Sequence, residues 1–282
     1  MENMQVTALY VYPVKSMKGI PLASTVLTSR GLRHDRTWMV VGPDGRFVTQ
    51  RQRPRLSLVH TQLDDYGVVL SMEGHGSISI PFDAGEGGDV ATHVWGDACE
   101  TIDQGPRVSE WLTQAAGSEV PLRIVRMAPG FRRPQNRPER FGPGTTTHFA
   151  DSAPFLVANE DSLAELNRNL QAQGHAPVPM DRFRPNVVVR GLEPFTEHRI
   201  PALTGNGWRL AMIDHCVRCA VTTIDQQTAV RDPAREPYLT LRRINPAPGD
   251  KPAPAFGQNA VLDRGAGVEI AVGCGVSVSR ND

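Results

Sequence analysis

Trp208-Arg209-Leu210-Ala211-Met212-Ile213-Asp214-His215-Cys216-Val217-Arg218-Cys219-Ala220-Val221-Thr222-Thr223-Ile224-Asp225 carries the densest chemistry in the chain. Trp208 to Ile213 and Ala220 to Ile224 are β-prone, so the two cysteines are expected between strands. Three ordinary explanations suit this spacing. Half of a structural zinc site is one, but Cys99 and Cys274 are too far apart in sequence to supply a second pair. His215 would add a third ligand, with no clear fourth. A thioredoxin-like redox pair is another, but that motif opens a helix in a βαβ unit, and β-prone residues follow here. The third is two buried thiols in a strand. Arg218 favours a metal role, because a cation beside a cysteine promotes the thiolate, which is the ligating form. One soft thiolate suits a thiol-loving or high-valent metal whose remaining ligands come from a bound cofactor, such as a dithiolene.

Outward from this stretch, alternating patterns dominate. Gln5 to Val11, Leu122 to Val125, Asn186 to Val189 and Val268 to Val272 read as strands. Thr37 to Val41 and Arg46 to Gln50 read as a hairpin around Gly42-Pro43-Asp44-Gly45, and Val68 to Met72 pairs with Ser77 to Ile80. Two helices are expected. Val108, Trp111 and Leu112 mark one, stopped by Gly117. Leu163, Leu166 and Leu170 mark the other, capped by Asn159 or Asp161 and stopped by Gly174. Both apolar stripes are read as core. Met127 to Thr147 is rich in Pro, Gly and Arg and is the expected boundary between halves at residues 1–126 and 127–282. Asn245 to Gly257 is expected to be a long loop. The fold class is mainly β with short helices, an α+β arrangement.

The chain has 282 residues, with 30 basic and 30 acidic side chains in balance. Zero net charge argues against a global grip on nucleic acid or anionic membrane. No stretch approaches the length of an apolar membrane span, and the N-terminus lacks a secretory pattern. Four cysteines in such a length are no disulfide framework, so a reducing, cytoplasmic setting is expected.

Four further stretches offer polar groups beside strands. In Tyr12-Pro13-Val14-Lys15-Ser16, Lys15 and Ser16 suit a phosphate, although a turn lysine is usually just solvated. In Gly31-Leu32-Arg33-His34-Asp35-Arg36-Thr37-Trp38, an exposed Asp35–Arg36 ion pair is the plain rival to a ligand contact. Met180-Asp181-Arg182-Phe183-Arg184-Pro185-Asn186 leads a guanidinium and an amide into a buried-looking strand. A structural pair between Asp181 and Arg182 or Arg184 is the alternative there. In Phe149-Ala150-Asp151-Ser152-Ala153-Pro154, Asp151 is an acid/base candidate or a turn former, and the turn is favoured.

Taken in order, these blocks, with Asn159 to Leu170, Cys216 to Asp225 and Phe256-Gly257-Gln258, resemble the two-domain MOSC proteins, in the amidoxime-reducing-component branch. The likeness spans nearly the whole chain. It implies a β-rich N-terminal domain, a C-terminal MOSC β-barrel and a molybdenum–molybdopterin cofactor in a cleft between them. It also implies Cys219 as metal ligand and Asp151 as an acidic group beside the metal. Lys15, Ser16, Arg36, Arg184, Asn186 and Arg218 match cofactor contacts. The implied activity is reduction of N-hydroxylated bases and amidoximes. A cofactor or sulfur carrier without turnover is the rival. Val217 departs from the serine common in that branch. No cysteine cluster suits an iron–sulfur centre, and neither a ferredoxin-like domain nor a membrane anchor is expected. Electrons are therefore expected from a separate ferredoxin- or flavoprotein-type partner. Pyridoxal phosphate is disfavoured, because Lys15, Lys18 and Lys251 are the only lysines and none has a Schiff-base setting.

Overall fold

The computed structural model describes residues 4–83, 85–135, 137–250 and 252–279. Lys251 lies outside them.

A nine-stranded sheet dominates the C-terminal half, and the chain's first strand is inside it. Gln5–Val11 runs antiparallel to Val187–Arg190, with Val6 opposite Val189 and Leu9 opposite Val187. Its other edge pairs with Ile20–Leu22. Ser24–Thr28 pairs with Glu269–Ala271 near the C-terminus. Val6, Leu9, Leu27 and Leu32 accordingly share one core with Phe155, Val187, Trp208 and Ile270. Each fully buried aliphatic side chain contributes about 1.5–3 kcal/mol. The segment is thus fastened to the far end of the chain by burial as well as by backbone bonds.

Residues from Trp38 to Met127 build a separate arrangement. Trp38–Val41, Arg123–Met127, Asp97–Asp103 and Asp89–Val94 form a four-stranded sheet, and His60–Leu63, Gly67–Met72 and Gly76–Pro81 form a three-stranded one. The helix Pro106–Ala115 closes their shared core with Val108 and Leu112. Proline opens it and Gly117, at φ 60°, ends it. The helix Glu160–Ala172 is capped by the Asn159 side chain, which accepts from Asp161 N at 3.1 Å. Its Leu166 and Leu170 pack against Phe183, Leu241 and Phe256. None of the described helices is long and apolar enough to cross a membrane.

The structure departs from the sequence expectations in three elements. Ala220–Thr223 is a 3-10 turn, not a strand. Thr222 and Thr223 turn their hydroxyls onto the carbonyls of Cys219 and Ala220, three residues back, and these local bonds defeat the β-propensity. The Pro-rich segment 245–257 is not a loop throughout. Pro246–Ala247 pairs with the start of Ala253–Arg264, the longest strand described. Pro254 is tolerated because it stands near that strand's beginning. The hairpin after Val41 closes through a single bridge to Phe47, with no second strand to Gln50.

Candidate functional site

The strand Trp208–Val217 delivers the cysteine motif. It pairs with Ala253–Arg264 and slips register between Met212 and Asp214 and again between His215 and Val217. Bulges of this kind re-aim side chains and are common beside functional sites. Beyond the second slip, Arg218 N donates to Pro254 O at 2.8 Å. Cys219 then opens the 3-10 turn, and its carbonyl accepts from Thr222 N. Arg182 locks that turn, with Nη1 on Thr222 O and Nη2 on Asp225 Oδ2 at 2.8 Å. The Arg182 partner is therefore Asp225, not Asp181.

A second set of segments meets this one. Lys15 N donates to Trp38 O, Arg36 N to Tyr12 O, and Phe149 N to Arg36 O. These bonds bring residues 12–16, 35–38 and 149–151 onto one wall. Gln50 and Gln226, both buried, exchange reciprocal amide bonds at 2.9 and 3.0 Å, and Gln50 also donates to Ser16 O. Segments 176 residues apart are thereby joined without charge.

An open pocket of about 790 Å³ results, open solvent at its mouth included. It gathers all eight residues proposed from sequence: Lys15, Ser16, Arg36, Asp151, Arg184, Asn186, Arg218 and Cys219. Five cationic side chains, Lys15, Arg36, Arg51, Arg184 and Arg218, line it against a single lining carboxylate, Asp151. Ser16, Arg36 and Arg184 hold left-handed backbone at φ 72°, 46° and 55°. Such strain costs on the order of 1–3 kcal/mol per residue and persists where the surroundings over-determine it.

Several of these residues do something other than wait for a ligand. Asp35 is 2% exposed, and its pair with Arg36 at 2.6 Å is buried rather than solvated. Burial pushes the Asp35 carboxyl up; Arg36 and the Tyr12 N–H pull the other way. Arg36 puts its other hand on Arg184 O at 3.1 Å. Asn186 spends its oxygen on Leu156 N and its amide on Tyr10 O. Lys15, 5% exposed, donates to Phe149 O and to Asp151 Oδ1 at 2.7 and 2.6 Å. Burial pulls the Lys15 ammonium down, against the pull of Asp151.

Asp151 is walled in by protein yet leaves 61% of its side chain open to water, because it sits in a concave mouth. Burial pushes its carboxyl up, but Lys15 and a Trp95 N–H at 3.1 Å outweigh that and hold it at about 2. At neutral pH it is a carboxylate, an acceptor and not a proton donor. Arg184 and Arg36 both lie 4.3 Å from the centroid of the Tyr12 ring. Burial, with Arg36 adding, pulls the Arg184 guanidinium down to about 10, so it stays charged.

Arg218 does not serve Cys219. Its Nη1 lies 2.8 Å from Cys216 Sγ and its Nη2 on Phe183 O. Burial pushes the Cys216 thiol up, and Arg218 only moderates this. The exposed Cys219 thiol takes its cation from Arg51, whose Nη1 is 3.6 Å from Sγ. Neighbours in sequence do not face one another where a strand gives way to a turn.

Two family models match the chain: the MOSC N-terminal beta barrel domain over residues 3–119 and the MOSC domain over residues 144–277. The chain belongs to the two-domain MOSC family. This MOSC protein is 32% identical over 277 residues to mitochondrial amidoxime-reducing component 1 of Homo sapiens, covering 94% of this chain and 80% of that protein. It is 31% identical over 260 residues to the Danio rerio protein of the same name, covering 90% and 78%. Molybdenum cofactor sulfurase of Danio rerio matches at 32% over 254 residues, covering 83% of this chain but 30% of that protein.

Sequence reasoning missed Thr49, Gln50, Arg51 and Trp95 in this MOSC protein. The first three line the pocket and Trp95 stands on its rim. Thr49 and Gln50 end the expected hairpin and Arg51 follows it, where an arginine reads as an ordinary solvated residue. A tryptophan directly before Gly96, at a hairpin tip, was the one available signal.

Proposed function

We propose that this MOSC protein holds a molybdenum–pterin cofactor in the pocket, with the Cys219 thiolate on the metal, and reduces N-hydroxylated compounds such as amidoximes to the amino form. The observation that carries the reading is the excess of five cations over one carboxylate around an exposed thiol. Such a pocket suits an anionic ligand that also needs a soft donor.

Its residues fit that group. Arg184 Nη2 and Arg218 Nε are buried without a hydrogen-bond partner. Leaving a buried donor unmade costs about 1–3 kcal/mol, more when it is charged, and an acceptor-rich ligand in the pocket offsets this. Arg184 and Arg218 would hold the anionic and heterocyclic parts, with Lys15 and Arg36 supplying field. When bound, the cofactor supplies the two-electron chemistry.

The overall change takes R–NHOH, two electrons and two protons to R–NH2 and water. The electrons come from a separate redox protein. The chain's own part is to bind and orient the substrate. Asp151, held ionised by Lys15, accepts a hydrogen bond from the substrate's N–H or O–H. Arg51 keeps positive charge beside the thiolate.

Likeness to molybdenum cofactor sulfurase at the same identity favours a second reading, a cofactor or sulfur carrier with no turnover of its own. The test is elemental analysis of wild type and Cys219→Ala from a host that makes the cofactor, with benzamidoxime turnover under a supplied reductant. Near-stoichiometric molybdenum in wild type, sharply reduced in the variant, together with turnover, is the expected result. Molybdenum without turnover moves the assignment to a carrier. No molybdenum in either protein sinks the cofactor assignment, for reductase and cofactor carrier alike, and leaves only a sulfur carrier.

A further inference from the structure

Trp95 donates to Asp151, but its exposed ring has a placement that this bond alone does not require. It sits at the turn between Asp89–Val94 and Asp97–Asp103. Its backbone is left-handed, at φ 55°, which bulky residues rarely adopt, although Gly96 stands next to it. The indole is 52% exposed. It is nevertheless fastened. Nε1 donates to Asp151 Oδ1 at 3.1 Å. Phe47 meets the ring edge-on, with centroids 5.1 Å apart. The Arg51 guanidinium stands 5.2 Å from the ring centroid and reaches Cys219 Sγ with its Nη1. Trp95 therefore touches the pocket carboxylate directly and stands one residue, Arg51, from the pocket thiol.

We propose that Trp95 is the specificity-determining residue of the pocket and stacks flat, conjugated N-hydroxylated compounds in preference to aliphatic ones. The proposal rests on the reading of the pocket as an N–OH-reducing site. An aryl amidoxime is a planar π system, and an exposed, immobilised indole offers it a face at little further loss of side-chain freedom. Lys15 and Trp95 both bond Asp151 Oδ1, and among the described residues Oδ2 has no protein partner. A stacked amidoxime would bring its N–H groups to that oxygen. Trp95 thus contributes a ring to the substrate and an N–H to the carboxylate, and substitution can separate the two.

The test uses the protein as isolated, with benzamidoxime and acetamidoxime as probes, which share their N–OH chemistry and differ in the ring. Calorimetric titration is expected to show benzamidoxime binding roughly three- to tenfold more tightly, the scale of one aromatic stacking contact. Trp95→Ala is expected to erase that preference, and Trp95→Phe to keep most of it, because phenylalanine keeps the ring and loses only the N–H. Thermal unfolding of each variant shows whether the fold survives. No preference in wild type, or a preference unchanged in Trp95→Ala, overturns the proposal. Trp95-dependent binding, with neither compound reduced when the molybdenum-loaded protein is given a supplied reductant, overturns the reductase reading and leaves the stacking role intact. Failure to bind either compound overturns both.

Discussion

Glu197 offers a quantitative test of the packing that holds the helix Glu160–Ala172. It is completely buried in the 3-10 turn Thr196–His198. Both carboxylate oxygens lie against a single hydroxyl, Ser162 Oγ, at 2.9 and 2.8 Å. That hydroxyl has one proton to give, and it already accepts from Phe195 N. Burial therefore dominates over the hydrogen bonds and raises the Glu197 carboxyl from 4.5 to about 7. The folded protein keeps this proton where the unfolded chain has released it, so stability is lost as pH rises from about 4.5 to about 7. At about 1.4 kcal/mol per tenfold change in proton affinity, the whole step is worth about 3 kcal/mol. Glu197→Gln keeps the shape and removes the titration. Relative to wild type it is expected to gain about 1 kcal/mol at pH 5 and about 3 kcal/mol at pH 8. Urea denaturation of both proteins at the two pH values reads this directly, since groups common to both cancel. A gap of equal size at pH 5 and pH 8, or a variant less stable at pH 8, would refute the argument that burial outweighs the hydrogen bonds.

Gln50→Leu strands Gln226 Oε1 and Ser16 O across the seam between the two halves, and is expected to cost about 2 kcal/mol in urea denaturation. Gln50→Leu with Gln226→Leu should recover part of it; a single variant within about 0.5 kcal/mol of wild type would show that water replaces the lost amide. Asp151 titrates at about 2, so it contributes no acid limb to a pH–activity profile above about pH 4. A limb near pH 5 to 6 that disappears in Asp151→Asn would count against the Lys15–Asp151 pairing.

Local periodicity carried the helices, because Leu166 and Leu170 recur on one face wherever the rest of the chain lies. It carried the strands at 67–72 and 76–81 for the same reason. It failed at Ala220–Thr223, where two threonine hydroxyls bond backward, and at 253–264, where prolines hide the start of a strand whose later residues are buried. Propensity scores a residue alone. These outcomes depend on which partner reaches it.

The sequence by itself determined the class of the fold, the family blocks and the eight polar residues that line one pocket. Each of these is written in residue type and spacing, which chemistry constrains locally. Only the tertiary structure decided how those residues are employed. Gln5–Val11 pairs with Val187–Arg190 across most of the chain, and no local pattern specifies so distant a partner. Arg218 turns to Cys216, while Arg51, 168 residues away, stands beside Cys219. Lys15 is tied to Asp151, and Asp35 is buried under Arg36. Charge pairing is set by distance in space and by desolvation, and both are properties of the packed chain.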